Sequence, residues 1–354
     1  MLVKDLNAVL KLSSRISNAS SLTSLYRSVE LGKELLRCCS EFGNLEIAIP
    51  DTNLTSPVLI DGAALLGITG SLPGDSEITL TQSAGKIAYK CGSATGFLNI
   101  VISDHAIPQL NHTNFPWTPP PELANALILA SSACQAAAVS VGLYGIVLEP
   151  EGDKLRLLST NAVALASVTI DKGTYPTGKI TLRPPVPSII AAFISTCPNC
   201  VLDVTPEGIF IQGDWLRAHL PVSSSLEHDL KAIADKYILS TQTAPINSSA
   251  VKMFIGRARA LSDKNAFFLV GLTVEKGSLT LRHASIASTS EEVFLCEGLD
   301  PNLNYKSVEI DAEMLRVSLP FVTHAIFDYL GESKLLLKGT NPEFCYVVSG
   351  GDSN

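Results

Sequence analysis

The chain is predicted to be an α+β protein built from one repeated unit, an apolar helix followed by short alternating strands. Three observations predict it. The unit recurs about six times, roughly every 60 residues, which is the spacing of a modular architecture. The stretches between helices alternate apolar and polar residues and are punctuated by turn residues, as antiparallel meanders are. Hydrophobic residues make up 46% and charged residues 17% of 354 residues, a globular composition long enough for two or three ordinary domains. Such repetition points to a ring or scaffold rather than to one catalytic cleft.

The first helix spans about Val3–Ile16. At ~100° per residue, Leu6, Val9, Leu10 and Ile16 gather on one side, while Lys4, Lys11 and Arg15 fall within ~40° of one another on the other. Two readings of that stripe stand: cations offered to a phosphate backbone, or an ordinary solvated face. Strands follow at Ser28–Leu31 and Leu45–Ile49. A second helix runs from Asp61, its predicted N-cap, to Leu72, where Leu72-Pro73-Gly74-Asp75 breaks it. Strands at Glu77–Thr81, Lys86–Lys90 and Phe97–Ile102 complete a meander.

The proline-rich stretch Asn114–Pro121 is the first predicted linker. Beyond it come a helix at Glu122–Val139, strands at Tyr144–Glu149 and Leu155–Ser159, a helix at Pro187–Thr196, and strands at Val201–Val204 and Ile209–Gln212. A second boundary falls near Thr243-Ala244-Pro245. The last third holds a helix at Ser248–Leu261, strands at Phe268–Val274 and Ser278–Arg282, a helix from Asp311 ended or kinked by Pro320, and strands at Lys334–Lys338 and Phe344–Val348. On the Ser248 helix Val251, Phe254, Ala258 and Leu261 share the buried side, and Lys252 and Arg259 share the exposed one. The division into thirds is 1–116, 117–243 and 244–354.

Much chemistry is missing from this sequence. It has no Walker-type phosphate loop, no GxGxxG after a strand and no GxSxG elbow. The six histidines are dispersed, and no pair of carboxylates stands out for acid–base work. The eight cysteines form no framework. Cys197-Pro-Asn-Cys200 is a lone CxxC without the second ligand pair a zinc site needs, so it reads as a loop, with metal or redox chemistry the lesser alternative. No cofactor and no metal are expected. No run of about 18 apolar residues is uninterrupted and the N-terminus does not read as a signal peptide, so no membrane contact and a cytoplasmic, reduced setting are expected. The net charge of −8 argues against indiscriminate nucleic-acid binding, though a local basic patch is compatible with it.

Three segments carry a resemblance to a known family. They are Leu143-Tyr-Gly-Ile-Val-Leu-Glu-Pro-Glu-Gly-Asp-Lys-Leu-Arg-Leu157 with Leu158-Ser-Thr160, then Arg257-Ala-Arg-Ala-Leu-Ser-Asp-Lys264 with Val270–Arg282, and Tyr346-Val-Val348. Leu72–Ile78 and Lys90-Cys-Gly92 add to the series. Together they resemble, in order and spacing over nearly the whole chain, the bacterial sliding clamp, the beta subunit of the replicative DNA polymerase.

The resemblance implies three tandem clamp domains of two helix-plus-strands units each, closed by two chains into a homodimer ring. Helices would line the hole and strands would form the outer wall. It implies a non-catalytic processivity factor that encircles double-stranded DNA without regard to sequence, tethers the DNA polymerase, and is opened by a clamp loader ATPase. Lys4, Lys11, Arg15, Lys252, Arg257 and Arg259 become candidates for the DNA-facing lining. The alternative is a clamp-fold scaffold that recruits transcription or repair partners with little grip on DNA.

Partner peptides of the family enter a pocket to which Leu143, Thr160, Leu165, Val347 and Val348 would contribute here. The sequence departs from the family there. Thr160-Asn-Ala-Val-Ala-Leu-Ala166 lacks the family's Gly-His-Arg, and Ser349-Gly-Gly351 replaces Met-Pro-Met. For Leu143, Leu165, Val347 and Val348, pocket surface and plain core packing both remain open.

Overall fold

The computed structural model describes residues 1–17, 20–134, 145–161, 164–176, 178–223, 229–238, 244–245, 247–262, 268–275, 278–284, 289–295, 305–327, 334–340, 343–349 and 351–352. The first stretch holds α1 (Val3–Ser13), α2 (Ser24–Arg27), β1 (Ser28–Leu31), β2 (Leu35–Ser40), β3 (Gly43–Ala48), β4 (Val58–Asp61), α3 (Gly62–Ser71), β5 (Thr79–Ser83), β6 (Lys86–Cys91) and β7 (Ala94–Asn99). Next come α4 (Leu123–Ser132), β8 (Gly145–Glu151), β9 (Lys154–Thr160), β10 (Ala164–Asp171), β11 (Ile180–Leu182), α5 (Val186–Thr196), β12 (Val201–Thr205), β13 (Gly208–Gln212), β14 (Leu216–Leu220) and α6 (Leu230–Ile238). The last stretch holds β15 (Ala244–Pro245), α7 (Ser248–Leu261), β16 (Leu269–Glu275), β17 (Ser278–Ala284), β18 (Thr289–Leu295), β19 (Tyr305–Asp311) and α8 (Ala312–Ser318). A 3₁₀ turn at Leu319–Phe321 follows, then β20 (His324–Phe327), β21 (Lys334–Thr340), β22 (Glu343–Ser349) and β23 (Gly351–Asp352).

Two compact units emerge. One comprises Met1–Pro121, Gly173–Pro176 and Ser188–Val222, and the other Glu122–Lys172, Thr177–Pro187 and Ser223–Asn354.

The first unit contains a seven-stranded sheet in the order β12-β13-β14-β3-β2-β1-β4 and a three-stranded sheet β5-β6-β7. The long sheet joins two meanders at a seam where β3 runs antiparallel to β14, Ile47 opposite Leu216 and Leu45 opposite Ala218, all four buried. Gly43 begins β3 with φ +131, and a Cβ there would lie 2.1 Å from the His219 carbonyl oxygen, so only glycine lets the two backbones approach this closely. One row of side chains alternates in charge across four strands, Glu30, Arg37, Glu46 and Arg217, each opposite the next.

The chain leading into the predicted linker, and Trp117 within it, lie against this sheet. Ile107 packs with Leu25 and Cys39. The Leu110 amide donates to Glu46 Oε1 at 3.2 Å, and His112 Nε2 lies 2.7 Å from Asp203 Oδ2 while its ring stacks on Phe210 at 4.1 Å. Trp117 exchanges backbone hydrogen bonds with Leu202.

The second unit contains an eight-stranded sheet, β11-β8-β9-β10-β22-β21-β20-β15, and a five-stranded sheet, β18-β17-β16-β19-β23. The eight-stranded sheet has the same kind of seam. There β10 pairs antiparallel with β22, Leu165 opposite Val347 and Ala166 opposite Tyr346. Strand alternation puts Ser159, Ala166 and Tyr346 on one face. On that face lies α4, whose Ala130 carbonyl accepts from Ser159 Oγ at 2.5 Å. On the opposite face Val147, Leu158, Leu165, Leu336, Cys345 and Val347 form an apolar cluster with Leu230 and Ala234 of α6.

Most predicted elements stand within a few residues of expectation. Asp61 caps α3, its carboxylate accepting from the Ala64 amide at 2.8 Å. α1 ends at Ser13 rather than Ile16, and Pro320 sits in the 3₁₀ turn that closes α8. The helix predicted over 122–139 is described from Leu123 to Ser132, and residues 135–144 lie outside the described residues. Among the strands not foreseen are β2, β10, β14, β18 and β19, and the helix α6 was not foreseen either. The CxxC closes α5: both thiols are buried, and burial pushes that of Cys200 up to about 11. Among the described residues no group of three or more His, Cys, Asp or Glu side chains could hold a metal ion.

Candidate functional site

Two surfaces correspond to the predicted site residues. The first is met separately in each unit, as the exposed faces of α1 and of α7. On α1, Val3, Leu6, Val9, Leu10 and Leu12 are buried, which turns Lys4 and Lys11 outward, and Arg15 in the turn just past its end is exposed as well. The helix has no side-chain N-cap. Its first amides donate instead to backbone carbonyls of the turn after α3, Val3 to Ser76 at 3.0 Å and Lys4 to Gly74 at 2.9 Å. That turn also supplies Asp75, whose Oδ1 sits 2.9 Å from Lys4 Nζ. The pair holds the Lys4 ammonium above its ordinary range and the Asp75 carboxyl below its own, through their mutual hydrogen bond and charge. Lys4 is therefore partly neutralised, whereas Lys11 and Arg15 have no ion-pair partner among the described residues.

On α7, Asn247 is the N-cap, its side chain accepting from the Ala250 amide at 3.1 Å. Val251, Phe254, Ile255 and Ala258 are buried, and Lys252, Arg257 and Arg259 are exposed. Arg257 is paired with Glu292 of β18, and Arg259 lies over the Phe268 ring at 5.3 Å. Of the three, Lys252 is the cation with least local engagement. A further exposed cation, Arg316 on α8, was missed by sequence reasoning. Because α8 packs against α4 and α7, Arg316 belongs to the same helical layer as Lys252 and Arg259. Its isolated position on a short helix gave no stripe to detect.

Three further helices contribute no charge. The described spans of α3, α4 and α5 contain no Lys, Arg, Asp or Glu, and the side chains they expose are small or neutral, including Ala63, Gly67, Asn125, Ile128 and Ser195.

The second surface is the seam between β10 and β22. It brings Thr160, Leu165, Val347 and Val348 together. Thr160 is opposite Leu165, which is opposite Val347, and Val348 is opposite Ala164. Leu143 lies outside the described residues. Thr160, Leu165 and Val347 are less than a tenth exposed. The last two are core members packed under α6, so of the two readings left open by the sequence, core packing describes Leu165 and Val347 in this structure. Thr160 Oγ1 donates to the Ala164 carbonyl at 2.7 Å.

Ser349 ends β22, and Gly351–Asp352 cross to pair with Val308 and Glu309 of β19.

Charge holds α6 down as well as apolar contact. Asp229 caps the helix, its Oδ1 accepting from the Lys231 and Ala232 amides at 3.1 and 3.2 Å. Arg156, whose side chain is 5% exposed, reaches out from β9 and donates from Nη1 to Asp235 Oδ1 at 2.6 Å and from Nε to Ser167 Oγ at 2.9 Å. Lys231 Nζ lies 2.7 Å from Glu151 Oε1. Among the described side chains, Leu230 and Ala234 are the apolar residues that α6 adds to the cluster, together worth roughly 3 kcal/mol of burial.

No protein family and no curated protein matches the chain by sequence. Solved structures do match it in fold. A putative DNA polymerase III beta subunit from Eubacterium rectale superposes with a TM-score of 0.76 at 15% identity, covering 99% of this chain and 98% of that one. The Helicobacter pylori beta clamp bound to a DNA ligase peptide gives 0.73 at 16%, covering 99% of each. The DNA polymerase III subunit beta from Pseudomonas aeruginosa gives 0.70 at 15%, covering 100% of this chain and 99% of that one. The chain has the fold of these clamps from end to end.

Proposed function

We propose that this protein is a sliding clamp: a non-catalytic ring of two chains that encircles duplex DNA and tethers a DNA polymerase and other DNA-processing proteins. The observation that carries the reading is a rule of strand pairing. Both seams join the third strand of one three-stranded meander to the third strand of another, β3 to β14 and β10 to β22. The third strands left over are β7 and β18, each paired within its meander to one neighbour only among the described residues. Phe97 on β7 and Val293 on β18 are both 58% exposed. Pairing β7 of one copy with β18 of the next would repeat the seam and remove both open edges. Two copies joined head to tail close into a ring of six similar domains, the thirds being 1–116, 117–243 and 244–354.

In that ring Lys4, Lys11, Arg15, Lys252, Arg257 and Arg259, with Arg316, supply a thin positive potential to the helical lining. A closed ring needs no tight phosphate contacts to stay on its template, and tight contacts would impede sliding. A clamp loader ATPase to open the ring, and a cytoplasmic setting, belong to the same proposal. No described helix is long and apolar enough to cross a membrane.

The test is topological. The protein loaded on nicked circular DNA should remain bound through gel filtration and be lost when the circle is linearised. Equal loss from circle and line sinks the reading. A second reading rests on the uncharged α3, α4 and α5: a clamp-fold scaffold that holds partners and barely grips DNA. It predicts a dimeric ring with no retention on circles at any salt.

A further inference from the structure

The face of the eight-stranded sheet under α6 has the makings of a docking groove. Val147, Leu158, Leu165, Leu336, Cys345 and Val347 form a continuous apolar floor, and Arg156 stands at its border. This guanidinium is buried and incompletely satisfied. Nε has Ser167 and Nη1 has Asp235, but Nη2 is buried with no hydrogen-bond acceptor among the described residues. A planar guanidinium is best matched by a carboxylate that takes two of its N–H groups side by side. α6 offers one oxygen, from Asp235, whose side chain is half exposed. Of its described side chains, Leu230 and Ala234 lie on the floor, and Ile233 is 44% exposed. α6 thus leaves the charge of the surface it covers incompletely matched.

We propose that α6 is a built-in occupant of this groove, which lifts to admit a peptide segment pairing apolar side chains with a carboxylate able to take both Nη atoms of Arg156. The inference rests on the clamp reading for the existence of such partners, and it adds a regulatory step that the reading does not contain. Partner access is set by the opening of α6. A peptide succeeds by satisfying the N–H that α6 leaves unpaired.

The full-length chain carries its own reporter. Cys345 lies in the floor beneath α6, while Cys134 is buried after α4, its Sγ donating to the Gly145 carbonyl at 3.2 Å. Alkylation by iodoacetamide under native conditions, followed residue by residue by mass spectrometry, should label Cys345 at least about tenfold faster than Cys134, because local opening is less costly than global unfolding. Leu230→Ala and Asp235→Asn should each raise the Cys345 rate and leave Cys134 unchanged. A synthetic peptide copy of residues 229–238, added in excess to the Leu230→Ala protein, should slow Cys345 labelling, and the copy carrying Asp235→Asn should protect less. Equal rates for the two thiols, acceleration of both together, or no protection by the peptide overturns the proposal. None of these readouts involves DNA. Selective Cys345 labelling in a chain that fails on circular DNA would therefore sink the clamp reading and leave the α6 step standing.

Discussion

Arg156 and Asp235 meet at 2.6 Å across the face of the eight-stranded sheet, one buried in β9 and the other half exposed on α6. The asymmetry of their burial predicts an asymmetry in their substitution. Asp235→Ala strips a buried guanidinium of its main counter-charge and leaves Ser167 and the more distant Glu151 near it. Removing one partner of a buried pair costs about 3–5 kcal/mol, and the exposure of Asp235 reduces this to about 1–2 kcal/mol by solvent screening. Arg156→Leu removes the buried charge itself and leaves Asp235 free to be solvated, so it should cost no more than Asp235→Ala. Urea unfolding of the two variants gives the order. An Arg156→Leu protein much less stable than Asp235→Ala contradicts this account.

Burial of thiols sets an alkaline limit on stability. Burial raises Cys345 from an ordinary 9.0 to about 12, against the opposing pull of Lys338 and Arg156, and raises Cys134 to about 11. Above pH 9.0 the unfolded chain ionises these thiols while the folded chain keeps them protonated, so the folded state binds more protons. Stability is then fully present below that pH and falls as pH rises, by up to about 1.4 kcal/mol per pH unit for each thiol, until the folded-state values are reached. Cys345→Ala should make the loss between roughly pH 9 and 11 shallower by one thiol's share. Urea midpoints across that range measure it, and an unchanged slope refutes it.

How legible these features were in the sequence depended on whether the signal was local. Helices with a broken end and an apolar face, such as α3 between Asp61 and Pro73, could be placed closely. Hairpins turning on Gly152 or Gly208 could be placed as well. β10 could not, because it is buried on both faces between β9 and β22 and so shows no alternation. α6 was missed although Leu230, Ile233, Ala234, Tyr237 and Ile238 follow helical spacing in the sequence and Asp229 ahead of them is a usable capping signal. The basic residues of α1 and α7 were visible as stripes. Their neutralisers, Asp75 and Glu292, lie 71 and 35 residues away in sequence and became partners only through folding. The burial of Leu165 and Val347 followed from the same cause, since no sequence pattern announces a helix that covers a strand seam.

The cations of α1 should not contribute equally to DNA retention. Lys4 already has Asp75, while Lys11 and Arg15 have no ion-pair partner among the described residues. Reversing all three to Glu should shorten retention on circular DNA and lower the magnitude of the salt slope by about 0.9 for each phosphate no longer neutralised. Taken singly, Lys11→Glu and Arg15→Glu should each have a larger effect than Lys4→Glu, which exchanges a half-neutralised cation for an anion beside Asp75. Retention half-lives across a salt series on nicked circles decide it. An unchanged triple variant removes α1 from the lining.

The open edges offer the sharpest test of ring closure. Val293 is exposed on β18, and the Lys86 ammonium lies 4.1 Å above the Phe97 ring on β7. If these edges pair between copies, a carboxylate at position 293 would be desolvated against an apolar strand with no designated partner, a cost of several kcal/mol at each of two equivalent joints. Val293→Asp should therefore convert the dimer to monomer at micromolar concentration in sedimentation velocity. It should leave the thermal stability of the isolated chain nearly unchanged, because the side chain is solvent-exposed there. Phe97→Asp should do the same from the other side of the joint, and mixing the two variants should not restore closed rings, since each mixed ring keeps a defective joint. Retention on circular DNA should vanish with the dimer. A Val293→Asp protein that stays dimeric would move the joint away from β18, and the pairing rule read from β3–β14 and β10–β22 would not extend to a third seam.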